Sequence, residues 1–340
     1  MADPGARGGG IREYATGASV EDISVYESRT STFSIDRSQR ERRCAAGLAV
    51  EIVESSQRIS GETVKGEMMF EHQALLRPAI YGVAVGDALG VPYEFMARGS
   101  FRCTDMVGYG SHRQPAGTWS DDTSMTLATV DSLRQNDGRV DVDDMRRRFV
   151  MWLCDGMYAI DGNVFDCGIT VREALRRGVG RDGERSNGNG SLMRILPLAF
   201  TDATDDEVRA VSAITHAHAT SMDACVAYVH AARALLNGAD PREAASTAGY
   251  VDIWEQPVSA IESTGYVLHT LPAALWCLTT TGSYADCVHA AVNLGEDTDT
   301  TAAVAGGLAA IRYHGGRGDV PRDWLERLRG REIIEAVLPA

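Results

Sequence analysis

The sequence predicts an all-α fold, and three observations lead there. Apolar residues recur at helical period in segment after segment, several segments open after Ser, Thr or Asp and close on glycine, and strand-like alternation is scarce. In chain order the helical segments are HQALLRPAIYGVAVGDALG (72–90), TSMTLATVDSLRQ (123–135), VDDMRRRFVMWLCDG (142–156), CGITVREALRRG (167–178), SMDACVAYVHAARALLNG (221–238), YADCVHAAVNLG (284–295) and TTAAVAGGLAAIRYHG (300–315). The first is expected to end near Gly90, because Pro92 cannot continue it, leaving Glu94 on the loop that follows. Residues 73–340 are read as one compact helical domain whose loops carry the chemistry. Residues 1–72 read differently. ADPGARGGG is flexible, and RSQRERRCAAGLAVEIVESSQRI suggests one helix over about 38–59 within an N-terminal extension.

Composition narrows the class. The 340 residues are 44% hydrophobic, enough to bury a sizeable core, and no uninterrupted apolar run approaches the roughly 18 residues of a membrane span. MADPGARGGG lacks the apolar stretch of a signal peptide, so the expected setting is the cytoplasm, without a membrane partner. A net charge of −14 argues against nucleic acid as a partner. The seven cysteines form no CxxC pair and are odd in number, and are read as reduced and mostly buried rather than as a disulfide or zinc framework.

The chemistry lies in four short stretches. In GTWSDDTSMTLA, Ser120, Asp121 and Asp122 open a helix, and taken alone they read as a cap with an acidic first turn. GEDTDTTAAVAGG repeats the pattern with Asp297, Asp299 and Thr300 ahead of a small-residue helix able to approach a neighbour closely. Carboxylates with Ser/Thr hydroxyls are the donors that a hard divalent cation takes, and four converging carboxylates would repel one another without one. Asp87 and Glu94 of GVAVGDALGVPYEF form the third stretch, Asp87 also suiting a buried helix-end role. In SNGNGSLMRILPLAF, Gly188 and Gly190 suit a backbone approached by phosphate or ribose and are expected to feed a helix through Ser191. His216 and His218 of ITHAHATS stand two apart and do not share a helix face, which argues against zinc.

Taken in order, GDALGVPYEF, GTWSDDTSMTLA, DCGITVREAL, GNGSLMRILPL, THAHATS, GYVLHTLPAALW and GEDTDTTAAVAGGLAA resemble the ADP-ribosylglycohydrolases, over roughly Gln73 to His314. The resemblance implies a compact orthogonal multi-helix fold with two Mg2+ or Mn2+ ions near the distal ribose of ADP-ribose. It implies metal ligands at Ser120, Asp121, Asp122, Asp297, Asp299 and Thr300, Ser120 standing where many relatives have threonine. It places Glu94 near metal or substrate, and Asp166, Gly168, the loop Ser186, Gly188, Asn189, Gly190 and Ser191, and His216 and Tyr266 along the ADP-ribose groove. The acid/base candidates are Glu94 and Asp297. The expected substrate is an ADP-ribosylated protein or a smaller ADP-ribose conjugate, with arginine linkage first. Two other classes fit the motifs: a non-catalytic ADP-ribose binder, and an immunity protein whose partner is a cognate ADP-ribosyltransferase toxin.

Overall fold

The structure is a computed structural model and describes residues 73–339; the expected 38–59 helix, Cys44 and the rest of the extension lie outside them. Among the described residues there are α-helices, 3-10 turns and isolated bridges but no strand, as the periodicity predicted. The α-helices are α1 (Gln73–Gly90), α2 (Asp121–Gln135), α3 (Val142–Asp155), α4 (Ile169–Arg177), α5 (Asp205–Ala213), α6 (Ala219–Leu236), α7 (Pro241–Thr247), α8 (Val267–Thr280), α9 (Tyr284–Asn293), α10 (Thr298–Tyr313), α11 (Arg322–Arg327) and α12 (Arg331–Val337).

The centre is an antiparallel pair, α1 on α10. Gly82, Gly86 and Gly90 recur every four residues and so share one face of α1. A Cβ on Gly86 would stand 2.2 Å from the Ala302 carbonyl oxygen, and one on Gly90 would stand 2.3 Å from Asp299 Cα. Only hydrogen fits in that seam. The small residues of α10 were expected to allow a close neighbour, and the neighbour is α1, whose last turn thereby meets the Asp299 backbone. Tyr284 and Tyr228 fix the pair from outside, donating to Gly82 O at 2.6 Å and to Val304 O at 2.9 Å.

α10 is buried from Thr298 to Ile311 and α2 from Asp121 to Leu133, so both run through the core. The remaining helices pack around them with one face exposed. Residues 74–93 have the length and apolarity of a membrane span, with mean hydropathy 1.3, yet 72% of that stretch is buried inside the fold. The chain beyond His314 is integral. Trp324 Nε1 bonds Asp105 at 2.9 Å, Arg329 N bonds Gly117 O at 3.0 Å, and Gly330 packs on the Trp119 ring immediately before α2.

Three expectations change. No α-helix follows Ser191; two 3-10 turns, Leu192–Arg194 and Leu196–Phe200, take its place, the second with Pro197 in its first turn. α8 carries Pro272 inside an otherwise continuous apolar helix, and its sequence reads as a motif rather than as an element. Cys103, Cys167, Cys225, Cys277 and Cys287 are free and buried as expected, whereas Cys154 is disulfide-bonded.

Candidate active site

The two acidic clusters meet. Ser120 Oγ donates to Asp122 Oδ2 at 3.0 Å, and Thr300 Oγ1 reaches the same oxygen from α10 at 3.3 Å, 178 positions away in sequence. Their approach is arranged by α1, which lies beside both. Asp87 accepts from Ser120 N at 2.9 Å, Thr123 N at 3.0 Å and Thr123 Oγ1 at 2.6 Å, holding the first turn of α2. Thr298 Oγ1 ties the start of α10 to Gly90 O at 2.8 Å.

Asp121 and Asp122, read as caps that also face a metal, do not cap α2. Ser120 is the N-cap, and Asp87 takes the amide that the acids would otherwise take. Their carboxylates are free for another use. Asp122 Oδ1, Asp297 Oδ1 and Asp299 Oδ2 are buried with no hydrogen-bond partner. A buried charged oxygen without a partner is costly, and no arginine in the ion pairs of the described residues neutralises these three. Burial, aided by the neighbouring acids, raises the Asp121, Asp122 and Asp299 carboxyls well above the usual range, and burial pushes Asp87 up to about 6.

Carboxylate oxygens of Asp87, Asp122 and Asp299 lie within 4.8 Å of one another. So do single donor atoms of Glu94, His112, Asp166 and Asp299. Asp299 belongs to both groups and stands between them. The donor set is oxygen with one imidazole nitrogen, and the orphaned oxygens are of the kind that a hard divalent cation satisfies. The residues present therefore fit a metal centre.

Glu94 follows the 3-10 turn Val91–Tyr93 and is buried at the edge of this cluster. Burial first, then the charges of Asp299 and Asp297, raises its carboxyl well above the usual range. His112 Nε2 pairs with Glu94 Oε2, and Ser111 Oγ bonds Glu94 O at 2.5 Å. Asp166, half-buried and in the left-handed region at φ 51°, adjoins Glu94. Gly168 is the N-cap residue of α4.

Across the site, the 187–190 loop runs beside the start of α8. Asn189 Nδ2 donates to Asp297 Oδ2 at 2.8 Å and to Thr270 Oγ1 at 2.9 Å, so this loop aims the Asp297 carboxylate. Asn189 N bonds Gly265 O at 3.0 Å, and Gly188 bridges to Tyr266, whose ring is part-exposed and packs edge-on against His269 at 5.0 Å. Ser186 ends the 3-10 turn Glu184–Ser186 ahead of this loop. The Ser191 and His216 side chains do not line an open groove. Ser191 Oγ accepts from Ser212 Oγ at 2.9 Å within the core, and His216 lies buried under Gly190, where a Cβ would stand 3.0 Å from its Cε1. Burial lowers the His216 imidazole to about 3. His218 caps α6, its Nδ1 accepting from Thr220 N at 3.2 Å.

Sequence reasoning missed three contributors. His112 sits in a tight turn whose signal is the pair Gly108 and Gly110, the latter pressed on Pro92 with no room for a Cβ. Phe165 packs on His112 with ring centroids 5.3 Å apart. Arg194, fully buried, donates to Gly190 O at 2.6 Å and Thr215 Oγ1 at 2.8 Å and lies 4.4 Å over the Phe149 ring, bracing the glycine loop from below.

The ADP-ribosylglycohydrolase family model matches residues 71–339, extending beyond the His314 limit read from the motifs. The ADP-ribosylarginine hydrolase Tri1 of Pseudomonas putida (strain GB-1) is 33% identical over 76% of this chain and 75% of its own. The ADP-ribosyl-[dinitrogen reductase] glycohydrolase of Rhodospirillum rubrum is 32% identical over 74% of this chain and 88% of its own. A solved ADP-ribosylglycohydrolase-related protein complex superposes with TM-score 0.66 at 31% identity, covering 81% of this chain and 97% of that one. With the family model matched over residues 71–339 and relatives above 30% identity over about three quarters of the chain, the chain belongs to the ADP-ribosylglycohydrolases, a family of hydrolases.

Proposed function

We propose that this protein removes ADP-ribose from arginine side chains of modified proteins, and that it depends on two divalent cations, Mg2+ or Mn2+. The observation that carries the reading is the set of three buried, partnerless carboxylate oxygens contributed by both α2 and the α10 start. Ser120, Asp121, Asp122, Asp297, Asp299 and Thr300 would hold the ions, which would neutralise the acids and polarise ribose hydroxyls and water. A mere binder of ADP-ribose has no need of so costly a charge cluster. Two relatives named as ADP-ribosylarginine hydrolases support arginine as the linkage.

Water adds to the distal ribose C1 as the bond from C1 to the guanidine nitrogen breaks. The transition state is oxocarbenium-like, the departing nitrogen takes up a proton, and the attacking water gives one up. One acid and one base are needed, and Glu94, paired with His112, and Asp297, held by Asn189, are the candidates. The backbone of Gly188 to Gly190, with Tyr266 beside it, would bind the diphosphate and nucleoside, and Asp166 and Gly168 close the opposite side. The test is release of ADP-ribose from arginine-linked and serine-linked substrates in parallel. Arginine-linked turnover should dominate; exclusive serine release would replace the linkage, and no release from either would return the protein to the binder class.

A further inference from the structure

Phe95 carries two costs. Its ring is 64% exposed, and its backbone is in the left-handed region at φ 65°, a conformation that costs a side-chain-bearing residue roughly 1–2 kcal/mol. The strain is built in from both sides: Phe95 N donates to Glu296 O at 2.7 Å, and Glu296 N donates back to Met96 O at 2.9 Å. Glu296 is itself left-handed, at φ 60°. The result is a ring held out beside Glu94.

That ring is one of three. The His112 ring lies 5.8 Å from Phe95 on one side and 5.3 Å from Phe165 on the other, tilted by 53° and 45°. The His112 ring thus links the two phenylalanine rings, and carboxylate oxygens of Glu94 and Asp166 lie within 4.8 Å of one of its nitrogens. Asp299, which has one buried and unpartnered oxygen, belongs to the same group of donors. Aromatic faces over carboxylates repel a diphosphate and attract a planar cation, which stacks on the rings and donates in a fork to the acids. The opposite wall has the complementary character, with glycine backbone and Tyr266, and suits the nucleotide.

We propose that Phe95, His112 and Phe165, with Asp166 below them, form the subsite for the guanidinium group of the target arginine and so set the linkage that the protein prefers. This rests on the hydrolase reading above and adds the residues that choose the leaving group. Phe95→Leu and Phe165→Leu keep apolar volume and remove the π face; Phe95→Tyr keeps it. Each Leu variant should raise KM for an ADP-ribosylarginine substrate roughly three- to thirty-fold. In Phe95→Leu, affinity for ADP-ribose and turnover of a serine-linked substrate should stay at wild-type values, and Phe95→Tyr should restore the arginine KM. A separate titration of agmatine into the ADP-ribose-saturated protein reads the subsite without turnover, and agmatine should bind the wild type more tightly than either Leu variant. An unchanged arginine KM in Phe95→Leu, an equal loss on both linkages, or equal agmatine affinity in all three proteins overturns the subsite. Release of ADP-ribose from neither linkage by the wild type overturns the hydrolase reading instead, while the agmatine titration still decides the subsite.

Discussion

The N-termini of α7 and α10 look alike as sequence and do opposite things. Each begins with an aspartate and carries a second acid within the first turn. Asp240 turns back on its own helix, accepting from Arg242 N at 2.8 Å and Glu243 N at 3.0 Å, and Glu243 completes the box from the exposed surface. Asp297 makes no side-chain cap bond to α10; Asn189 draws its carboxylate away, and one oxygen is left buried without a partner. The outer acid satisfies its own helix. The inner one is held away from its helix, and that is how a binding centre differs from a cap of the same composition.

The contrast has consequences of opposite sign. In chelator, Asp299→Asn removes a buried charge from a repelling cluster and should leave stability unchanged or raise it, yet Mg2+ or Mn2+ affinity should fall by about 10^2-fold or more. Asp121→Asn should behave the same way, and the double variant should be hardly worse than either, because groups that act as one unit are strongly non-additive. Calorimetric metal titration with thermal melts decides it, and wild-type affinity in Asp299→Asn would remove the case for a shared metal site at the two clusters. Chelation should abolish turnover, with Mg2+ or Mn2+ restoring it and Zn2+ substituting poorly at a site dominated by oxygen.

A smaller effect concerns proton transfer alone. Glu94→Gln should slow turnover by about 10^2-fold, with ADP-ribose affinity within a few-fold of wild type. Unchanged turnover would reduce Glu94 to a buried loop residue.

Next comes the histidine under the glycine loop. With its folded value near 3 against an ordinary 6.5, the unfolded chain takes up the proton first as pH falls. His216 therefore costs stability progressively below about pH 6.5, roughly 2 kcal/mol by pH 5. Denaturant titrations of wild type and His216→Gln at pH 7.5 and pH 5 should show that increment only in the wild type.

The smallest effect is at the outer cap: Asp240→Ala should cost about 1 kcal/mol in a thermal or denaturant melt and leave kcat/KM unchanged. A large activity loss there would erase the distinction between outer and inner acids.

The helices of the centre were legible because their periodicity and glycine spacing are local properties. α1, α2 and α10 each announce themselves within twenty residues. Both acidic clusters were legible for the same reason, together with the order of the motifs. Their meeting was not, since it depends on Asp87 of α1 holding the start of α2, a contact that no spacing encodes. His112 escaped notice because a single histidine in a polar turn carries no periodic signal, and its role exists only where the Glu94 and Phe165 loops close on it. The helix expected after Ser191 failed at Pro197, which lacks the amide that a continuing helix needs, and Arg194 reaches across to Thr215 instead.

The glycine seam between α1 and α10 has a consequence beyond packing. Gly90 touches the Asp299 backbone directly, so the thickness of that seam fixes how far the Asp299 carboxylate stands from Asp122 on the neighbouring helix. Mg2+ and Ca2+ differ by only about 0.3–0.5 Å in preferred oxygen distance. A single methyl group at position 90 would displace the backbone by more than that. The gauge for ion radius would thus reside in a residue that owns no side chain, and Gly90→Ala should alter which cation fits before it alters any ligand.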